Sequence, residues 1–485
     1  MKRQFRIPRR LGREGTAAAL IALVLAVFYL FNTVLLALAD HYKWYFYTTE
    51  QYDLTPSGEA DGLLSAIDSS EGGIRIIFCD TESNIETHRQ LDFVQETARG
   101  LAARHPELIT IEYVNIWLEP AKLSAYVENE DGTENTINAD TVIIDYRGEF
   151  LLNNPRSFYI LDENDSVLAY NGEEIFVASM LWVSTDEHPT AYFTANHGEE
   201  VPEGLFRLLT YAGYRVDRLD LSTVSAVPDD AGMVIISSPI YDFQKSAAGS
   251  SYVSELVKLS RYLERGGTLF ASVSPRYAKG LPRLTEFLAS YGLTVGEGAL
   301  IDSTSSLPGS GGYTLLLDYA DSALGASLAE KASAGGRRTV LSQALPLSLT
   351  ASELATAEPL LYSAPSAALL ADDGSTIGSG AYPVVAMSRM KAGEGRILLT
   401  GGAYLAATDA VDSESYGNRD LLLSLLLECG APYAPIGIPA VAVDRTAVEN
   451  LTMGEANRFT LSAAVLFPTA LLLGGLIYCK KRKNH

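Results

Sequence analysis

The sequence predicts an α/β protein in which two globular domains lie between two membrane-spanning helices. Three observations carry this. The 485 residues hold one long uncharged apolar run near each end, basic clusters flank both runs, and β-rich segments alternate with helical spacing through the middle. A chain of this length can bury more than one core without a disulfide or a metal.

Residues 1–15 form a basic tail containing Lys2, Arg3, Arg6, Arg9, Arg10 and Arg13. Residues 16–39, Thr16 to Ala39, carry no charge, and at about 1.5 Å per residue they cover roughly 36 Å of helix, enough to span a bilayer. Residues 459–479, Phe459 to Cys479, are also uncharged and of spanning length, and the tail 480–485 adds Lys480, Lys481, Arg482 and Lys483. Neither run shows the polar stripe of a long globular helix. The positive-inside rule puts both termini in the cytoplasm, so the expected localisation is the cell (plasma) membrane with an extracytoplasmic ectodomain. Ala37-Leu38-Ala39 also fits a signal-peptidase site, with cleavage after Ala39 leaving the C-terminal anchor, but the length of the apolar run favours retention. Between Asp40 and Arg458 acidic residues outnumber basic ones more than twofold. Such a surface repels nucleic acid and anionic headgroups, which leaves the lipid bilayer as the partner of the spans and excludes nucleic acid.

The first domain is predicted over 40–187. Aromatics in His41–Tyr47 suit the headgroup level, and Tyr52-Asp53-Leu54-Thr55-Pro56-Ser57 opens a short helix with Leu63, Leu64 and Ile67 on one face. Ile74–Phe78 and Leu108–Val114 read as strands joined by a helix over Glu86–Arg104, a βαβ element. Thr141–Tyr146 and Ser157–Leu161 are further strands, and Gly172–Val183 is a helix. This order resembles a thioredoxin-like α/β domain. Cys79-Asp80-Thr81-Glu82 offers one thiol where a disulfide oxidoreductase needs two close together, so redox chemistry does not follow.

The second domain, 188–430, is predicted as a doubly wound α/β sheet, flavodoxin/glutamine-amidotransferase-like. Strands are expected at Ala191–Thr194, Val216–Leu219, Gly232–Ser237 and Gly267–Ser272, with helices over Gly204–Ala212, Tyr252–Glu264 and Leu281–Tyr291. Gly213 closes the first of these helices. Periodicity weakens over 302–380, which reads as an irregular insertion marked by Pro308-Gly309-Ser310-Gly311-Gly312 and Ala334-Gly335-Gly336. Strands at Pro383–Met387 and Arg396–Thr400 and a helix over Asn418–Glu428 complete the sheet. Residues 431–458 read as a membrane-proximal tether.

The three cysteines, Cys79, Cys429 and Cys479, form no ligand cluster; an extracytoplasmic setting permits a Cys79–Cys429 bond, but nothing in the sequence brings the two together, and buried free thiols are the expected state. The six histidines show no paired metal spacing, so neither a metal nor a cofactor is expected. No phosphate loop of the G-x-x-x-x-G-K-[ST] type occurs. Asn196-His197-Gly198-Glu199 is the candidate ligand- or partner-binding turn, because it follows a strand at its carboxyl end and pairs a His with a carboxylate, the residue types of acid–base catalysis. The same turn also serves plain backbone geometry, with Gly198 relieving strain and Glu199 favouring a helix N-terminus. The elbows Ser237-Ser238-Pro239-Ile240 and Ser272-Val273-Ser274-Pro275 lack both a thiol and a G-x-S-x-G pattern.

In order along the chain, Tyr52-Asp53-Leu54-Thr55, Tyr192-Phe193-Thr194-Ala195-Asn196-His197-Gly198-Glu199, Arg261-Tyr262-Leu263-Glu264-Arg265-Gly266-Gly267, Gly395-Arg396-Ile397-Leu398-Leu399-Thr400-Gly401-Gly402 and Gly417-Asn418-Arg419-Asp420 resemble motifs of the GldG family, named for gliding motility. Asn196 stands where that family commonly has Gly, and 302–380 matches no motif. The resemblance implies a non-catalytic auxiliary component of an ABC-type transport system, working beside an ABC permease and a cytoplasmic ATPase. The alternative expectation is a membrane-anchored extracytoplasmic hydrolase or transferase using the His197-Gly198-Glu199 turn.

Overall fold

Ser57 caps the first described helix, its hydroxyl accepting from Ala60 N at 3.2 Å, near the start of the region that the computed structural model describes. That region is 54–442, apart from 71, 89, 129–133, 162–166, 246–252 and 414, together with Arg458. Both expected spans and the aromatic belt lie outside it. Among the described residues no helix is long and apolar enough to cross a membrane.

The described elements are α1 (Gly58–Leu64), β1 (Ile74–Phe78), α2 (Glu82–Thr87), α3 (Asp92–Arg104), β2 (Ile109–Tyr113), β3 (Val142–Tyr146), β4 (Glu149–Asn153), β5 (Tyr159–Leu161), β6 (Val167–Tyr170) and α4 (Gly172–Val183) in the first half. Their main sheet has the order β2-β1-β3-β4, with β1 and β2 parallel and β3 antiparallel to β1. Alternation along β1 sends Ile74, Ile76 and Phe78 to a core shared with α3 and α4, and Ile77 to a smaller cluster on the other face with Cys79, Leu123 and Tyr126. The helix expected over Glu86–Arg104 is two helices, broken at His88, whose backbone is extended. Ile85 and Leu91 are both buried but six residues apart, which a continuous helix would turn to different faces, so the break lets both reach the core. Arg99 then ties the pieces together through Glu82 and Glu86 at 2.8 and 2.9 Å.

The second half adds β7 (Thr190–Thr194), α5 (Glu203–Tyr211), β8 (Arg215–Leu219), β9 (Ala231–Ser237), α6 (Glu255–Glu264), β10 (Thr268–Ser272) and α7 (Pro282–Ser290). Next come β11 (Leu293–Val295), β12 (Ala299–Ile301), β13 (Thr314–Tyr319), α8 (Ala323–Ala332), β14 (Val340–Ser342), β15 (Leu347–Leu349), β16 (Ala355–Ser363), β17 (Ala368–Leu370), β18 (Thr376–Ser379), β19 (Pro383–Met390) and β20 (Arg396–Thr400). The last elements are α9 (Thr408–Asp412), α10 (Asn418–Glu428) and β21 (Val441–Ala442). Nine strands form one sheet in the order β14-β13-β16-β19-β20-β10-β9-β7-β8. The stretch β8-β7-β9-β10-β20 is parallel, and β19, β16, β13 and β14 extend it in antiparallel fashion.

Both faces of the parallel stretch are covered. Met233 and Ile235 of β9 pack with α5, α8 and α10, whereas Val234 and Ile236 pack with α6 and α7. A strand apolar on both sides is what a buried parallel sheet demands. The α/β class is therefore as the sequence predicts. The segment 302–380 is not irregular, since it holds β13–β18 and α8, and three of its strands belong to the large sheet. The first part of the expected tether is also folded. Ala431 and Ala434 enter the core beside α10, Ile438 enters the core of the first half, and β21 pairs with β6.

Candidate functional site

Strand β7 ends in the turn Asn196–Glu199, whose backbone takes left-handed values at Asn196 (φ 76°) and Gly198 (φ 79°). Asn tolerates this region through its short polar side chain, and here its amide donates to Asp220 Oδ2 at 2.5 Å. Gly198 is required for a second reason, because an added Cβ would lie 3.0 Å from Ile240 Cβ. Gly198→Ala is expected to cost about 1–2 kcal/mol, measured by urea unfolding, and an unchanged midpoint would refute this account of the turn.

The turn folds His197 inward, leaving 3% of the residue exposed. Its ring stacks on Phe243 with centroids 4.1 Å apart. Nδ1 lies 2.9 Å from Glu199 Oε1 and Nε2 lies 3.2 Å from Glu255 Oε2. Each carboxylate is itself held. Glu199 accepts from Thr194 Oγ1 and from the His197 backbone N–H, both at 2.7 Å, and Glu255 accepts from Gln244 N–H at 2.6 Å. The His197 carbonyl accepts from Ile240 and Tyr241 N–H, each at 2.8 Å, so the segment after β9 is bolted onto the turn after β7.

Burial of the ring opposes its charge, but hydrogen bonds to Glu199 and Glu255 outweigh that and raise the His197 pKa to about 9. Burial likewise opposes ionisation of Glu199, and its bonds to His197 and Thr194 reverse the balance and lower its pKa. At neutral pH the unit is an imidazolium clamped between two carboxylates, with both ring N–H groups donating. Glu255 starts α6, where a negative charge also favours the helix dipole. In this arrangement neither nitrogen faces open space for a substrate proton.

Of the four predicted residues, His197 and Glu199 are brought together, Gly198 shapes the turn, and Asn196 stays exposed beside Asp220. Sequence reasoning missed Glu255 and Phe243. Glu255 reads in sequence as an ordinary first-turn acid, and only the tertiary fold, which brings the start of α6 to the turn after β7, makes it a partner. The parallel strand ends nearby leave a cavity of about 10 Å³ lined by Pro202, Leu205, Ser237, Ser272 and Leu405. That is barely the space of one water. In the two elbows, Ser238 and Ser272 hydroxyls bond each other at 3.2 Å, and Ser274 accepts from Arg276 N–H.

Two further motifs are fixtures of packing. The Tyr262 ring fills the space where Gly267 lacks a Cβ, and its hydroxyl accepts from Thr268 N–H. Asn418 is fully buried, accepts from Val340 N–H and donates to the carbonyls of Val340 and Leu405. Arg419 is also buried. It donates to the Ile438 carbonyl at 2.7 Å and faces Glu174 of α4 at 3.5 Å, while Asp420 pairs with Arg337 at 2.5 Å. Cys79 and Cys429 are free buried thiols in different clusters, and burial pushes both up to about 12.

No family model and no curated protein matches this chain. Among solved structures, it is similar to the mmIFT52 N-terminal domain, at 16% identity and a TM-score of 0.37 over 49% of this chain and 96% of that one. A putative ThuA-like protein from Bacteroides uniformis gives 13% and 0.30 over 52% and 96%. PurLQS from Thermotoga maritima gives 11% and 0.29 over 50% and 99%. Likenesses of this size carry no argument about function.

Proposed function

We propose that the chain is a non-catalytic auxiliary membrane subunit of an ABC-type transport system, GldG-like, with its ectodomain outside the cell and contacting a substrate or partner. The observation that supports it most is the state of the His197 turn. Its imidazole, the group an acid–base enzyme would use, spends both nitrogens on buried carboxylates and serves as a brace. A hydrolase or transferase would need one nitrogen turned to a substrate.

In the same reading the first half is thioredoxin-like, supported by the order β2-β1-β3-β4 with β3 reversed. The second half is flavodoxin/amidotransferase-like, supported by β8-β7-β9-β10-β20, which reproduces the order 2-1-3-4-5. In such sheets the ligand crevice lies at the first and third strand ends. Here the turns after β7 and β9 are fastened to each other across that place, which fits a scaffold. The buried Cys79 thiol fits a domain without redox turnover.

Two measurements test the proposal. Pull-down after mild detergent extraction is expected to recover an ABC permease and an ATPase, and recovery of neither counts against it. Protease added to intact cells is expected to digest 54–442, and digestion only after lysis would remove the extracytoplasmic reading.

A further inference from the structure

The carboxyl edge of the first sheet is open where that of the second is filled. A cavity of about 360 Å³ lies there, lined by Asp80 and Asn84 after β1, His88 at the end of α2, and Asn138 and Asp140 ahead of β3. Its size is at the lower end of the range for small-molecule sites. The loop after β2 lies beside it, since Asn115 donates to Asp80 Oδ1 at 2.8 Å and Ile116 N–H reaches the Cys79 carbonyl at 3.4 Å. The Asn115 side-chain oxygen accepts from Trp117 and Leu118 N–H at 3.0 and 3.1 Å. Those two residues are held in place yet 78% exposed, the most exposed large hydrophobics among the described residues.

The lining decides the ligand's chemistry. Two carboxylates and no described Lys or Arg exclude phosphates, nucleotides and acidic peptides. A bare dication is also a poor fit, because the Asp80 carboxylate already accepts from Thr81 N–H and from the amides of Asn84 and Asn115. Carboxamides and carboxylates side by side suit groups that both donate and accept, as neighbouring hydroxyls do. The loop after β2, tied to Asp80 through Asn115, also carries the exposed Trp117, whose indole offers an apolar face beside the cavity.

We propose that this edge binds a neutral oligosaccharide, with Asn84, Asn138 and Asp140 meeting its hydroxyls, Asp80 positioning Asn84 and Asn115, and Trp117 stacking on a sugar ring. The inference goes beyond the transport reading and stands or falls separately from it.

Of the two described tryptophans, Trp117 is the exposed reporter, while Trp182 is stacked on His188 with centroids 3.8 Å apart. The test uses the full chain in a sugar-free zwitterionic detergent, titrated with cello-, malto-, manno- and chitotetraose. Saturable blue-shifted emission with at least one of them is expected, confirmed by calorimetry. Trp117→Phe should remove the fluorescence change, and Trp117→Ala should weaken calorimetric affinity about tenfold with circular dichroism unchanged. Asn84→Ala should weaken it in the same way. No heat with any tetrasaccharide up to about 10 mM overturns the proposal. So does binding that both alanine variants leave intact, or a response to calcium or spermidine alone.

Discussion

Replacing Arg419 with alanine is expected to cost the folded chain about 3–5 kcal/mol, because it removes a buried guanidinium that faces a buried carboxylate. Glu174 is 1% exposed and lies on α4 in the first half, whereas Arg419 begins α10 under the large sheet. The same guanidinium holds the Ile438 carbonyl, and neighbouring Asp420 accepts from Gly437 N–H at 3.3 Å, so the residues after α10 lose an anchor too. Urea unfolding should show a lower midpoint, and the double variant Arg419→Met with Glu174→Leu should recover much of the loss, since an apolar pair leaves no orphan charge. A double variant as weak as the sum of the single ones would remove the ion pair from the account.

A loss of similar size, carrying a pH signature, is expected for His197→Ala. Glu199 and Glu255 would then face each other buried and without their shared cation, at a cost of about 3–5 kcal/mol near pH 6. In the wild type the imidazole binds its proton more tightly folded than unfolded. Its contribution is whole below the ordinary value of 6.5 and fades as pH rises through about 9. That difference corresponds to about 3 kcal/mol. Glu199 works in the opposite sense, its contribution present above the ordinary 4.5 and lost as pH falls through its lowered value. The gap between wild type and variant should therefore be widest between pH 4.5 and 6.5 and narrow toward pH 9. A gap that stays constant from pH 6 to pH 10 would show that His197 is not held as a cation.

Elements with strong local signals were legible to the residue. Helices Gly172–Val183 and Asn418–Glu428 and strand Arg396–Thr400 fall where periodicity and flanking glycines put them. Strand β4 was missed because its hairpin turns on Arg147-Gly148, at φ 57° and 94°, rather than on the Asn-Gly or Asp-Gly that announces such a turn. Strand β16 was hidden by Pro359, which ordinarily demotes a strand. The structure accommodates it with a register shift between Pro359 and Leu361. At the site, the local half of the His197 clamp was readable within four residues. Glu255, 58 residues away, and the Arg419–Glu174 pair, 245 residues apart, depend on tertiary packing that no local pattern encodes.

The pairing of β21 with β6 sets how the body would bear a pull. Gly437 lies against the Glu59 side chain, so residues near the end of the described stretch sit close to residues near its start. Force applied between Leu54 and Ala442 would shear that short strand pair and the Ile438 contact first, and the nine-stranded sheet would feel it only after those had parted. The folded mass would hang from its two ends like a closed loop from a single hook, with its interior outside the line of tension.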